Sequence, residues 1–135
     1  MLFEFNKEGL LLTKKDRNYI FFYANKNNKV FIDLSRIYWA YVLGDLIDSL
    51  EKFLISPVII LFGSLSKAEA KADSDIDLCI LAHKKEINLK DFEKKLKRKI
   101  QMFFFKSIKD INNPELASNI INGYALKGRL KLNGF

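Results

Sequence analysis

Leu61 to Leu81 reads LFGSLSKAEAKADSDIDLCIL. An apolar run stops at Gly63-Ser64, and a second run starts where Asp73, Asp75 and Asp77 fall within five residues. That pattern predicts a strand, a short helix and a second strand. Alternate side chains of a strand share a face, so Asp75 and Asp77 project together, about 6.5–7 Å apart along the chain. Ile76 and Leu78 then face the core. Two carboxylates held side by side repel unless a cation lies between them. Mg²⁺ suits that place, because it binds carboxylates together with substrate phosphates. Gly63 lets backbone approach a ligand closely, and the free N–H groups of a helix starting at Ser64 favour phosphate. The Ser64 hydroxyl joins the same cradle. The two halves describe a site for a Mg²⁺-triphosphate.

The rest of the chain extends this unit in both directions. Val58 to Gly63 (VIILFG) is continuously apolar, as a strand covered on both faces should be. Asn88 is positioned to cap a helix reaching about Lys97, with Asp91 completing a capping box. Ile100 to Phe105 (IQMFFF) reads as a third core strand, and Asn113-Pro114 opens a last helix that stops at Gly123. Towards the N-terminus, Leu10–Thr13 and Tyr19–Ala24 are rich in strand formers, and Asn25–Asn28 supplies turn residues before KVFID. From about Ser35 the period lengthens: Ile37, Ala40, Tyr41, Ile47, Leu50 and Leu54 predict one amphipathic helix of about five turns that ends before Pro57. Gly44 within it predicts a close packing contact. The fold class is α/β (α+β), a mixed sheet flanked by helices and preceded by a β-hairpin and a long helix.

Composition limits the function classes. A chain of 135 residues, nearly half apolar and 29% charged, suits one folded domain with its own core. The single cysteine, Cys79, excludes an internal disulfide framework, and its apolar setting predicts a buried, inert thiol. No apolar run approaches the ~20 residues of a membrane span, and no basic-then-apolar leader follows Met1, so the expected location is cytoplasmic with no membrane partner. The net charge of +7 points to anionic partners, and the basic residues concentrate in His83–Lys99. His83 itself reads as a surface histidine, since no second His or Cys is spaced to join it. Trp39 and Phe103–Phe105 read as core or interface.

Gly63-Ser64, the ten residues Leu65 to Ser74, and Asp75-Ile76-Asp77 resemble the motif of the minimal nucleotidyltransferases of the DNA polymerase β superfamily. Leu61-Phe62 and Leu78 match its apolar flanks. The resemblance implies that Gly63 and Ser64 hold nucleotide phosphates, that Ser74 lines the pocket and that Lys67 lies near the phosphates. It assigns Asp75 and Asp77 as catalytic metal ligands, and implies two Mg²⁺ ions with ATP or another NTP as substrate. The reaction would be attack of a hydroxyl on the α-phosphate with release of pyrophosphate, the paired metals stabilising attacking and leaving oxygens. Two positions depart from the pattern. Ala68 stands where relatives have Gly. The third carboxylate usual on a later strand is not evident; Gln101 occupies its expected position, and Asp110 and Glu69 are less well spaced for it.

Asn18–Tyr41 also resembles the wing hairpin and following helix of archaeal winged-helix proteins fused to a nucleotidyltransferase domain. The expected division is therefore 1–34, a wing-like hairpin, and 35–135, a minimal nucleotidyltransferase domain. Family analogy implies transfer of NMP, AMP from ATP, to a hydroxyl, as by the antitoxin of a pair that adenylylates a HEPN-type protein partner. The alternative is a catalytically weak or inactive module that binds nucleic acid or a protein. The aromatic hairpin also allows a homodimer.

Overall fold

The computed structural model describes residues 2–7 and 9–131. A short helix, α1 (Leu2–Lys7), leads into an antiparallel hairpin of β1 (Leu11–Asp16) and β2 (Tyr19–Ala24). The first strand runs beyond the expected end at Thr13, through Lys14 and Lys15, whose side chains are exposed. Only Arg17 and Asn18 remain to turn the chain, Arg17 with φ of 55°.

The next segment departs from expectation in three ways. KVFID is the first turn of α2 (Lys29–Val42), so the helix starts at Lys29 rather than near Ser35. Asn28 causes this: its Oδ1 accepts from the N–H groups of Val30 (2.9 Å) and Phe31 (3.1 Å). Those donors have no partner inside a helix, and an Asn cap supplies one. The helix accordingly runs straight through residue 34. It is also not one helix of five turns. α2 stops at Leu43, and α3 (Gly44–Phe53) starts beside it. Gly44 marks this joint and not a close contact, since a Cβ built there meets nothing within 4 Å. The break turns Leu43, Leu46, Ile47 and Leu50 into the core, while none of α2's residues is fully buried.

Next come β3 (Val58–Phe62), a 3-10 turn at Ser64–Lys67, β4 (Ile76–Leu81), α4 (Lys90–Leu96) and β5 (Ile100–Phe105). A second 3-10 turn at Ile108–Asp110, α5 (Pro114–Ile121) and β6 (Tyr124–Lys127) complete the described chain. The sheet order is β5-β4-β3-β6, with β4 and β5 parallel and the other pairs antiparallel. Strand β6 has no counterpart in the sequence reading. It is a four-residue edge strand with alternating exposure, too short to give a period of its own.

Both faces of the sheet are covered, which is why β3 and β4 are apolar at nearly every position. Ile59, Leu61, Ile76, Leu78 and Ile80 pack with Leu46, Leu50 and Leu65 on one face. Ile60, Phe62 and Cys79 pack with Ile108, Ile111 and Ile120 on the other. The three phenylalanines of β5 divide between the faces, Phe104 to the first and Phe103 and Phe105 to the second. Burial pushes the Cys79 thiol up to about 12, so it stays protonated and unreactive.

Two caps position the elements around the site. Asn113 Oδ1 accepts from Glu115 and Leu116 N–H at the start of α5, as its Asn-Pro sequence predicts. At α4 the Asn88 side chain takes the Lys90 N–H, but Asp91 closes no capping box. Instead Glu93 Oε2 accepts from Ile100 N–H at 3.0 Å, tying α4 to the first residue of β5. A capping box does form at Ser107 and Asp110, so that carboxylate is committed to its own turn.

Candidate active site at the ends of β3, β4 and β5

Strand register builds the site. Phe62 pairs with Asp77 across β3 and β4, and Asp77 pairs with Gln101 across β4 and β5. Phe62, Asp77 and Gln101 thus stand in a row across three strands, and Gly63 follows Phe62 directly at the end of β3. Asp75 lies just before β4, and Gln101 Nε2 donates to its Oδ2 at 2.9 Å. The four residues therefore form one polar end above the apolar sheet, and an edge-to-face contact between Phe62 and Phe103 (5.5 Å) packs on the same sheet face as Cys79.

Gly63 is required there for two separate reasons. Its φ is +76°, a region that side chains rarely adopt. A Cβ at that position would also run into Asp77 Oδ2 and stand only 3.3 Å from its Cγ. The absent side chain is what lets the Asp77 carboxylate lie against the loop. Partial burial, then the neighbouring Asp75 charge, raises the Asp77 carboxyl above its ordinary value of 3.8.

The Gly-Ser loop is held from below and from the side. Buried Ser66 donates its hydroxyl to Gly63 O (2.8 Å), and Glu69 N–H closes the turn onto Ser64 O (2.9 Å). Arg36 on α2 reaches in, Nε to Ser66 O at 2.7 Å and Nη2 to Asn122 O at 3.0 Å, with its guanidinium 5.9 Å from the Tyr124 ring centroid. The loop ends at Ala68, which is buried and left-handed, with φ of 57° and ψ of 28°. Ala68 thus bears the strain that a Cβ causes in this conformation.

Not every expected residue joins the row. The Ser74 hydroxyl accepts from Lys71 N–H (2.8 Å) and shapes its own turn. Arg98 secures that turn, donating to both Lys71 O and Ser74 O at 2.8 Å, and stacks 5.1 Å from the Trp39 ring. Lys67 is exposed at the end of the 3-10 turn, and Ser64 keeps its hydroxyl without a hydrogen bond among the described residues. Arg36, Ser66 and Arg98 escaped the sequence reading. They act through backbone carbonyls distant in sequence, and no local spacing announces such bonds.

Among the described residues no group of three His, Cys, Asp or Glu side chains could hold a metal ion. Asp75 and Asp77 are thus a pair completed by an amide. As oxygen donors they fit one Mg²⁺, which commonly takes one or two carboxylates with substrate phosphates. A second ion would lack a carboxylate. A cleft of about 600 Å³ lies at the opposite end of the sheet, beside Val58 and Leu81. Size alone would point there, but the convergent acidic donors are at the Gly63 end.

Among the described residues no helix is long and apolar enough to cross a membrane. No curated protein and no solved structure matches the chain. The model of the family described as Polymerase beta, Nucleotidyltransferase matches residues 45–129, more than half of the chain, and takes in β3, the Gly-Ser loop, β4 and β5. The chain belongs to the polymerase β nucleotidyltransferase family.

Proposed function

We propose that the chain transfers NMP, AMP from ATP in the first instance, to a hydroxyl acceptor with Mg²⁺. The observation that carries this reading is the close fit of Gly63 against Asp77 in one row with Gln101, and Asp75 beside it. In this reading the N–H groups of the loop from Gly63 and the Ser64 hydroxyl bind the triphosphate. Asp75 and Asp77 hold the metal, which would draw charge from the phosphate oxygens. The acceptor oxygen bonds to the α-phosphorus as the bond to pyrophosphate breaks, and the hydroxyl proton leaves to solvent. Lys67, exposed and within the same loop, would meet the phosphate tail. Ser74 supports the site by shaping the turn before Asp75.

A protein acceptor such as a HEPN-type partner is the narrower form of the proposal. The exposed apolar residues of α2 support a protein partner in general and do not select that one. The second reading is a module that binds nucleotide with little turnover, or one that binds nucleic acid through its basic surface. Gln101 favours weak turnover, because an amide stands where a third carboxylate would hold metal.

The test is calorimetry of Mg²⁺-ATP binding together with transfer of label from α-labelled ATP. Wild type is expected to bind in a Mg²⁺-dependent manner, and Asp75→Asn with Asp77→Asn to lose that dependence. Equal Mg²⁺-ATP affinity in the double variant would refute the site. Binding without any transfer to the chain or to candidate acceptors would select the second reading.

A further inference from the structure

The end of the sheet opposite Gly63 has a chemistry of its own. The chain leaves β4, β5 and β6 at this end and enters β3 there, and the cleft of about 600 Å³ opens between these segments. Val58, Leu81 and Ile108 supply its apolar lining, and all three belong to the core on the Cys79 face of the sheet. One wall is set by Gly128, with φ of 73°; a Cβ there would stand 3.0 Å from Val58 Cγ2, so the chain after β6 passes close over the start of β3. The facing wall is pinned by Ser107, whose N–H and hydroxyl both donate to Asp110 Oδ2 (3.1 and 3.3 Å).

The charge around this apolar lining is one-sided. Lys106, Lys127, Arg129 and Lys131 line the cleft, and Glu51 is the one carboxylate among the lining residues. Lys127 and Glu51 pair at 2.7 Å. Lys106, Arg129 and Lys131 take part in no ion pair among the described residues. Asp48 adds its charge on Lys127 behind that of Glu51, and Asp110 is spent on the Ser107 cap. Counting both, the rim still keeps a positive excess. Like charges gathered without counter-charges repel, and an anion seated among them removes that cost.

We propose that this cleft is a second ligand site, for a small organic polyphosphate such as a nucleoside diphosphate. Three features select that class. Clefts of about 300–1,000 Å³ hold small molecules, and this one falls in that range. Three uncompensated cations exceed what one carboxylate would need, whereas each terminal phosphate brings about 1.5–2 negative charges. Arg129 can pair with two oxygens of one phosphate while Lys106 and Lys131 act as point charges. The apolar lining then receives the uncharged body of the ligand, which inorganic phosphate lacks.

This site is separate from the acidic pair. Val58 to Gly63 is five steps of extended strand, about 16 Å, so a molecule held here does not present its phosphorus to Asp75 or Asp77. Its ligand is an effector or a cargo and not the molecule that reacts.

The experiment is an NMR titration of the full chain with ADP in EDTA, so its outcome does not depend on metal or on the transferase reading. Saturable shifts are expected at the amides of Ser107, Ile108 and Lys127–Arg129, and not at residues 63–67. Lys106→Ala with Arg129→Ala, both exposed positions, is expected to keep the wild-type spectrum elsewhere and to bind about tenfold or more weakly, having lost two charge-assisted bonds. Adenosine is expected not to bind, and inorganic pyrophosphate to bind more weakly than ADP. No saturable shift at millimolar ADP, or equal affinity in the double variant, would overturn the proposal. Pyrophosphate binding as tightly as ADP would reduce the cleft to a bare anion site and overturn the assigned class. A short oligothymidylate that binds far more tightly, with shifts running beyond the cleft, would give the surface to nucleic acid and overturn it equally.

Discussion

Gln101 Nε2 donates to Asp75 Oδ2 at 2.9 Å, from the strand position level with Asp77. The amide therefore caps a carboxylate of the acidic pair and neutralises none of its charge. Gln101→Glu would set three carboxylates together. The variant is expected to melt below wild type without divalent metal and to recover with Mg²⁺ or Mn²⁺, because like charges repel until a cation joins them. Label transfer from ATP is expected to rise in parallel. A melting temperature for the variant that ignores divalent metal would show that position 101 does not share the cradle.

Asp77 gives a pH-dependent test of the metal-free protein. Its folded pKa lies above the unfolded one, through burial and then the charge of Asp75. Protons are therefore bound more tightly in the folded state, and this carboxyl costs stability as pH rises through the window from about 3.8 upwards. Below that window the cost vanishes. Asp77→Asn removes it, so the variant is expected to melt above wild type at neutral pH, with the gap closing under acid conditions. Thermal scans across pH decide this, and a gap that persists below pH 3.8 would contradict the assigned cause.

Arg36 is expected to hold the Gly-Ser loop, not to react. Arg36→Ala removes charge-assisted bonds to Ser66 O and Asn122 O and should cost about 1.5–3 kcal/mol. Amide exchange in residues 64–67 should quicken, with residues 11–24 unaffected. Arg36→Lys, able to keep one such bond, should fall between. Unchanged exchange in the loop would reduce Arg36 to a surface residue.

Two small residues occupy each other's natural places. Ala68 holds a left-handed conformation, and Gly44 starts a helix in open space. Gly44→Ala is expected to stabilise by about 0.4–1 kcal/mol, by restricting the unfolded chain. Ala68→Gly releases about 1–2 kcal/mol of strain against about 0.8 kcal/mol for the lost buried methyl and about 0.4–1 kcal/mol for the freer unfolded chain, so stability is expected to stay nearly level. Urea denaturation checks both, and a marked loss at either position would invalidate its local account.

Much of this protein was legible in one dimension. The apolar runs at β3, β4 and β5, the Asn-Pro start of α5 and the spacing from Gly63 to Asp77 are local patterns, and they depend on periods of two or four residues. Those periods determined the strands of the core, the class of the fold and the residues that could carry chemistry. The start of α2 at Asn28 and the break at Leu43 were harder to see. A capping side chain and a one-residue helix break are decided by a few bonds that compete with an otherwise continuous pattern.

Other features existed only once the chain had folded. The sequence offered Gln101 as a position on a strand, and the parallel register of β4 and β5 put its amide on Asp75. Arg36 reaches Ser66 and Asn122 across 30 and 86 residues of chain, a distance over which no local spacing carries information. The apolar stripe of α2 could be read as a stripe, but its outward direction could not. Periodicity states which residues share a face, whereas the packing of Arg36 and Trp39 against the sheet domain decides which face is left to solvent.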